Sequence, residues 1–312
     1  MDNQIIQAAN SLKEKTIARR RDLHRHAEVA WTEFRTAAFV AKTLTELGYQ
    51  VSTGAAVHDE GSMMGVPSKA ELEKHMQRAI EQGADKAWVE QMAGGKTGVV
   101  GVMKFAKPGP VVALRVDMDA NDLTEAAEDK HRPFKEGFAS VNKGAMHACG
   151  HDGHTSVGLA VAEVLAGMKD QLAGTIKMIF QPAEEGVRGA KAMMVKGVVD
   201  DVKYIVGMHL GVTLRKTGQV ACKTEGFLAT TKLDATFTGV PAHAGAAPET
   251  GKNAILAACT ATLNLHAISR HSQGASRVNV GVIQGGSGRN VIPANAVIKV
   301  ETRGAVSEIN DY

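Results

Sequence analysis

The run Val111-Val112-Ala113-Leu114-Arg115-Val116, closed by Asp117-Met118-Asp119, decides the fold. A nearly continuous apolar stretch reads as a strand buried on both faces, as in a parallel sheet covered by helices. Two acids directly at its carboxyl end stand where open α/β sheets place their ligands. The surrounding chain repeats the pattern. Strands are expected over 98–103, 175–180 and 204–208, and apolar-faced helices over 153–168 and 187–195. This alternation gives an α/β fold with a mostly parallel-centred sheet flanked by helices.

Upstream, Ile5, Ile6, Ala9, Leu12 and Ile17 predict a helix over 3–20. Phe34, Ala37, Ala38, Ala41, Leu44 and Leu47 predict another over 32–47, stopped by Gly48 and followed by a strand over 49–53. The polar block 54–96 reads as a surface insertion. Within it Ser68 and Glu71 form a capping box after Pro67, so a helix is expected over 69–81, with a shorter one over 85–92. Gly94-Gly95-Lys96-Thr97 resembles the tail of a phosphate loop, but Glu90 stands where that motif needs its first glycine. Beyond Cys222 the pattern changes to strands over 230–238, 276–283 and 296–302 with a helix over 253–268, a smaller inserted α+β domain. The expected division is 1–222 and 223–312.

A chain of 312 residues fits two domains. Net charge is +3 with no block of one sign, and aromatics are only 4%, so neither an electrostatic nor a stacking footprint for nucleic acid is present. Three cysteines cannot build a disulfide framework, which fits a reducing compartment. The sequence shows neither a secretory leader nor an apolar run of membrane-spanning length, so a cytoplasmic protein is expected.

Four polar clusters lie at strand ends or in the loop before a helix: Asp117 with Asp119, Cys149 with His151, Glu184 with Glu185, and His209. Singly, each has an ordinary explanation, such as a solvated acid pair or a small buried cysteine. Together they offer a thiolate, imidazoles and carboxylates at the same rim of one sheet. That mixture suits zinc, and the carboxylate leaves manganese or cobalt open. Glu184 and Glu185 are adjacent and cannot easily point at one atom. One as ligand and the other as general base is the economical division. His147 and His154 fit capping or supporting hydrogen bonds better than ligation.

Arg20-Arg21-x-x-His24, Ala113-Leu114-Arg115-x-Asp117-Met118-Asp119-Ala120, Met146-His147-Ala148-Cys149-Gly150-His151-Asp152 and Phe180-Gln181-Pro182-Ala183-Glu184-Glu185-Gly186 resemble the M20 metallopeptidase family, in its amidohydrolase branch. The resemblance covers nearly the whole chain outside 54–96. It implies a di-metal aminopeptidase-like catalytic domain with an inserted lid and dimerisation domain. It also implies two divalent ions, Mn or Zn, with Cys149 bridging them and His151, Glu185 and His209 as further ligands. Glu184 would be the general base and Asp117 would orient a ligand. His243, in Gly239-Val240-Pro241-Ala242-His243, would reach into a partner subunit's site and stabilise the oxyanion. Asn290 and Arg303 would bind substrate.

The implied activity is hydrolysis of the amide bond of an N-aroyl-glutamate such as p-aminobenzoyl-glutamate. Other N-acyl amino acids (hippurate, N-acetyl or indole-acetyl conjugates) are the alternative within the class, and a catalytically silent subunit is the alternative outside it. The expected partners are a small-molecule substrate and a second chain, in a homodimer or in a heterodimer with a related subunit. Arg188, three residues after Glu185, is expected to grip a second substrate carboxylate. Ala27 stands where the family usually has proline, and Asn121-Asp122 where many members have Leu-Pro. The family's two-metal site also uses a downstream histidine, so the chain ending at Asn310-Asp311-Tyr312 reads as a C-terminally truncated form lacking the closing part of the catalytic domain.

Overall fold

The structure is a computed structural model and describes residues 2–211, 214, 216–222 and 225–312. The chain divides into two compact units, Met1–Thr213 and Leu214–Tyr312. The expected boundary after Cys222 touches Lys223 and Thr224, which lie outside the described residues.

Unit 1 begins with α1 (Asp2–Ser11), α2 (Lys13–Arg25), α3 (Phe34–Glu46) and β1 (Gln50–Thr53). Next come α4 (Lys69–Glu81), α5 (Lys86–Gln91), β2 (Val99–Lys104), β3 (Lys107–Asp117) and the short α6 (Arg132–Lys135). It continues through α7 (His151–Gly167), β4 (Ala173–Gln181), α8 (Gly189–Val195) and β5 (Tyr204–Gly207). The strands form one sheet in the order β1-β2-β4-β3-β5. Its centre is parallel, with β3 beside β4 and β5, and β1 and β2 extend it antiparallel.

Alternation sorts the strand residues onto two covered faces. Val99, Met103, Val116, Met178 and Phe180 pack with Phe34, Leu44 and Leu159 of α3 and α7. Val100, Ala113 and Ile179 face Val57, Met193 and Val198 on the other side. At Gly158 of α7, an added Cβ would lie 3.0 Å from Val116 Cγ2 and 3.2 Å from the Phe180 ring, so the missing side chain lets helix and sheet approach closely.

The register sets the site. Asp117 pairs with Gln181 and Arg115 with Gly207, so β3, β4 and β5 end nearly level. Residues 117–119, 182–185 and 208–209 therefore leave the sheet at one rim. Val99 pairs with Phe180 in the antiparallel direction, so β2 starts where β4 ends and Thr97 joins the same rim.

Two expectations are corrected. The helix expected over 3–20 is two helices that meet at Leu12, and α2 continues through the Arg20–Arg25 segment to Arg25. The block 54–96 is not merely a surface insertion. Leu72, Ala79, Val89 and Met92 are buried in the main core, because α4 and α5 each turn one apolar face onto α3. The Ser68–Glu71 capping box forms as expected, with the Ser68 N–H and the Glu71 carboxylate bonded at 2.9 Å.

Unit 2 contains β6 (Ala229–Thr238), β7 (Ala242–His243), α9 (Ala254–His266), β8 (Ser276–Gly285), β9 (Val291–Ile292), β10 (Asn295–Gly304) and α10 (Ser307–Asn310). β6, β10 and β8 form an antiparallel sheet, and Ala254 and Ala258 of α9 pack on Ala296, Ile298 and Val300. Among the described residues, no helix is long and apolar enough to cross a membrane.

Candidate metal centre

The rim of the unit 1 sheet gathers the four clusters. Cys149 Sγ lies 3.4 Å from His209 Nε2. The ligand atoms of Cys149, His151 and His209 all lie within 4.8 Å of one another, and the same holds for His151, Glu184 and Glu185. His151 opens α7 after Gly150, whose φ of 98° turns the chain sharply into the helix. Its ring is wholly buried.

Hydrogen bonds fix which imidazole nitrogen is free. His151 Nδ1 donates to the Asp119 carbonyl at 2.8 Å, which leaves Nε2 as the ring nitrogen without a hydrogen-bond partner. His209 Nδ1 donates to the Leu210 carbonyl at 2.9 Å, leaving its Nε2 bare beside Cys149. Metal-binding histidines are oriented in this way, with the second ring nitrogen tied to a carbonyl. Among the described residues, His151 Nε2 and Glu185 Oε1 are buried without a hydrogen-bond partner. Buried polar atoms are costly to leave unpaired, so two such atoms facing one thiol fit a cation. The residues present therefore suit the divalent ions that the chemistry of the donor set implies.

Electrostatics agree. Burial, then the carboxylates of Glu185, Glu184 and Asp117, push the Cys149 thiol up to about 12. A positive ion among these groups would reverse that and favour the thiolate. Burial opposes protonation of His151, but Asp119, Asp117 and Glu184 push it up to about 9. Burial and the neighbouring carboxylates of Asp117, Asp119 and Glu185 raise Glu184, against the pull of His151. A carboxylate raised in this way is a stronger base than a solvated one.

Asp117 is buried at the end of β3. It accepts from His154 Nδ1 and, at 2.7 Å, from Arg115 Nη1. Burial raises its pKa, but His154, His151 and Arg115 together hold it down at about 2. His154 Nε2 in turn accepts the Leu210 N–H at 2.9 Å, so this histidine links β3 to the His209 segment. His147 is buried with neither ring nitrogen partnered, and burial pushes it down to about 4. Arg20 and His24 of α2 grip Asp152 at 2.7 and 2.8 Å. His24 also meets Glu125 at 2.9 Å, so the Arg20–His24 motif braces the first turn of α7.

The structure adds residues whose role is not legible in the sequence. Asp119 accepts the Glu184 N–H at 3.0 Å and the Glu185 N–H at 2.8 Å, one on each carboxylate oxygen. Glu33, buried at the start of α3, accepts the Ala183 N–H at 2.9 Å and the Thr97 hydroxyl at 2.6 Å. An acid just before an apolar-faced helix reads from sequence as a cap, and only the fold shows it facing this rim. Arg188 donates Nε to the Glu185 carbonyl at 3.0 Å and Nη1 to the Gly65 carbonyl at 3.4 Å. These bonds tie the Glu185 loop to the 54–96 block.

In unit 2 the β7–β9 pairing sets His243 opposite Val291, next to Asn290. His243 Nδ1 accepts the N–H groups of Gly245 and Ala246, each at 3.1 Å, which fixes its tautomer with the proton on Nε2. Arg303 lies near the other end of β10 from Asn295, roughly 26 Å along the strand at about 3.3 Å per residue. It donates to Glu301 at 2.5 Å. Within unit 2, His243 and Asn290 are thus brought together and Arg303 is not.

Comparisons with known proteins place the chain in a family. The chain is 55% identical over 306 residues to a p-aminobenzoyl-glutamate hydrolase subunit of Escherichia coli, matching 98% of this chain and 70% of that protein. It is 56% identical over 293 residues to indole-3-acetyl-aspartic acid hydrolase of Enterobacter agglomerans, matching 94% of this chain and 67% of that protein. Among solved structures, the aminobenzoyl-glutamate utilization protein of Klebsiella pneumoniae is similar with a TM-score of 0.82 and 47% identity, over 99% of this chain and 71% of that one. A Bacillus subtilis M20 peptidase described as dinuclear metal binding is similar with a TM-score of 0.58 and 27% identity, over 97% of this chain and 67% of that one. The model of peptidase family M20/M25/M40 matches residues 113–310, and the chain belongs to that family as a hydrolase acting on amide bonds.

Proposed function

We propose that the protein cleaves the amide bond between an aromatic acyl group and an acidic amino acid, with p-aminobenzoyl-glutamate as the first-choice substrate. The observation that carries the hydrolytic reading is that two ligand groups, Cys149 with His209 and Glu184 with Glu185, meet at the His151 ring on one rim, with unpartnered ligand atoms on His151 and Glu185 and the Glu184 carboxylate 3.7 Å from His151 Nε2. The substrate class rests on the likeness to two relatives named for conjugates of glutamate and aspartate.

Cys149, His151, Glu185 and His209 would hold two divalent ions, manganese or zinc. Bound there, the ions supply Lewis acidity to the scissile carbonyl and make a water acidic enough to attack at neutral pH. Glu184 takes the proton of the attacking water and passes it to the departing amide nitrogen. Asp117 orients His154 and, through it, the His209 segment. His243, reaching into a partner subunit's site, donates from Nε2 to the oxyanion that develops there, and Asn290 beside it contacts the same substrate. Arg188 spends two of its N–H groups on backbone carbonyls and has others to offer a carboxylate. Arg303 is a separate candidate for a carboxylate. Indole-3-acetyl-aspartate is the second reading, favoured by the 56% identity to its hydrolase.

Hydrolysis rates on a panel of N-acyl amino acids test the proposal. A preference of at least tenfold for glutamate or aspartate conjugates over N-acetyl-alanine or hippurate is expected. Equal rates across the panel would remove the acidic amino acid from the assignment. Assembly into a dimer is proposed on the same footing and is checked by light scattering.

A further inference from the structure

Three consecutive amides of the loop that carries Glu184 and Glu185 are received by two buried carboxyl groups. Asp119 takes the Glu184 and Glu185 N–H groups, and Glu33 takes the Ala183 N–H. Ala183 has a φ of 50°, and Val187 in the same loop has 59°. Left-handed backbone is unfavourable for residues with a Cβ and persists only where the surroundings over-determine it. The surroundings at Ala183 are identifiable. Its carbonyl accepts from Arg188 at 3.2 Å and Gly189 at 2.9 Å. A Cβ on Gly189 would lie 1.8 Å from the Pro182 carbonyl oxygen, so only glycine lets the turn close there. On the other side the turn is held by Glu33, whose second oxygen is fixed by the buried Thr97 hydroxyl.

We propose that Glu33 is a positioning residue of the metal centre, which locks Ala183 in its left-handed turn and so aims the Glu184 and Glu185 carboxylates at the His151 side of the rim. The inference rests on the reading of those two residues as base and ligand. The lever is short. Rotation at residue 183 moves Glu184 and Glu185, one and two residues further on, and Asp119 alone leaves the first amide of the three unheld. Glu28 provides the contrast. It is equally buried, but its carboxylate accepts from Arg35 N, Thr36 N and Arg78, the start of α3 and a side chain of α4, and none of the loop amides.

Two readouts that need no substrate test this on the full chain: hydrogen–deuterium exchange of the 182–188 segment, and titration with Co²⁺ followed by visible absorption. In Glu33→Ala, exchange across 182–188 should accelerate at least tenfold and Co²⁺ affinity should fall at least tenfold. Glu33→Gln should restore both, because its carbonyl oxygen can still accept from Ala183 while its amide donates to Thr97. Glu28→Ala should lower the melting temperature yet leave loop exchange and Co²⁺ affinity at wild-type values. Wild-type exchange in Glu33→Ala, or an equal change in Glu28→Ala, overturns the proposal. Should Glu33→Ala not fold, Thr97→Val must give the same loop acceleration in smaller measure, and no acceleration there also overturns it. A wild-type chain that binds Co²⁺ but cleaves no N-acyl amino acid would sink the proposed function, while the exchange result still decides the role of Glu33.

Discussion

The loop bearing Glu184 and Glu185 and the turn bearing His243 are held in opposite ways. The first is fixed from outside itself. Its amides are received by carboxyls from two other segments, and Arg188 ties its backbone to Gly65. In the second, although β9 pairs with the backbone, the His243 ring itself is fixed from within, since it accepts from two amides that closely follow it and its side chain is exposed. A ligand set must hold its geometry before an ion arrives, which calls for a dry, over-determined frame. A residue assigned to the oxyanion needs only the right tautomer and freedom to meet the substrate. Substitutions in the first region should therefore separate metal loss from loss of chemistry, and substitutions in the second should touch chemistry alone.

The largest effect is expected at the base. Glu184→Gln should lower kcat by about 10³-fold or more, within the range for removing a positioned general base, while metal content by mass spectrometry stays at the wild-type value. His151→Ala should lose both metal and activity. If Glu184→Gln also loses metal, the division of labour between Glu184 and Glu185 is wrong. Chelation should abolish hydrolysis and Mn²⁺ or Zn²⁺ should restore it.

The contrast also explains what can be read from the sequence. The strand ends are legible because Val111–Val116 is continuously apolar and the acids follow at once, and level strand ends then place residues distant in sequence at one rim. Cys149, His151, Glu184 and His209 stand out because each is a polar residue at such a boundary. Glu33 does not, because its partners Thr97 and Ala183 are 64 and 150 residues away and become neighbours only once the antiparallel β2 enters at the rim. The burial of Leu72, Ala79, Val89 and Met92 within the 72–92 segment is hidden for a related reason. Its apolar residues are interleaved with many charged ones, and the single apolar face of α4 and α5 gains a core only from the position of α3.

The next effect tests the second region. His243→Ala should lower kcat by about 10²-fold, the scale of one oxyanion donor, with metal content and loop exchange unchanged. A metal loss here would break the comparison. A smaller effect is expected at Arg188→Ala, a rise in KM for p-aminobenzoyl-glutamate of roughly tenfold, as for one charged hydrogen bond, and a smaller rise for substrates lacking the second carboxylate. If KM is unchanged and kcat falls, Arg188 acts only as the fastener of Gly65 to the Glu185 loop.

The smallest effect lies in stability against pH. Burial, then the Asp119 carboxylate, pushes Glu33 up to about 8, whereas an unfolded glutamate titrates near ~4.3. Between these values the folded protein keeps a proton that the unfolded chain has released. This contribution to stability is therefore complete below the lower value and is lost as pH rises through about 8. His151, raised to about 9, acts in the same direction. His58 acts in the opposite one: burial pushes it down to about 4, so its contribution is present above the ordinary histidine value and is lost as pH falls through about 4. Trp31 and Trp88 both lie in unit 1, so tryptophan fluorescence reports the melting of that unit alone. In the presence of a chelator, His58 and His147, both pushed down to about 4, offset the loss at Glu33 up to the ordinary histidine value, so the test is the difference between the two proteins: from pH 5 to 8 the midpoint of Glu33→Gln, neutral at every pH, should gain on that of the wild type by several degrees, at about 2–4 °C per kcal/mol for a domain of this size. Below pH 5 the two curves should run together, because His58 is unchanged. Parallel curves across the whole range would show that Glu33 does not carry a buried proton, and the frame around the Glu184 loop would then be held by charge rather than by a neutral hydrogen-bonded acid.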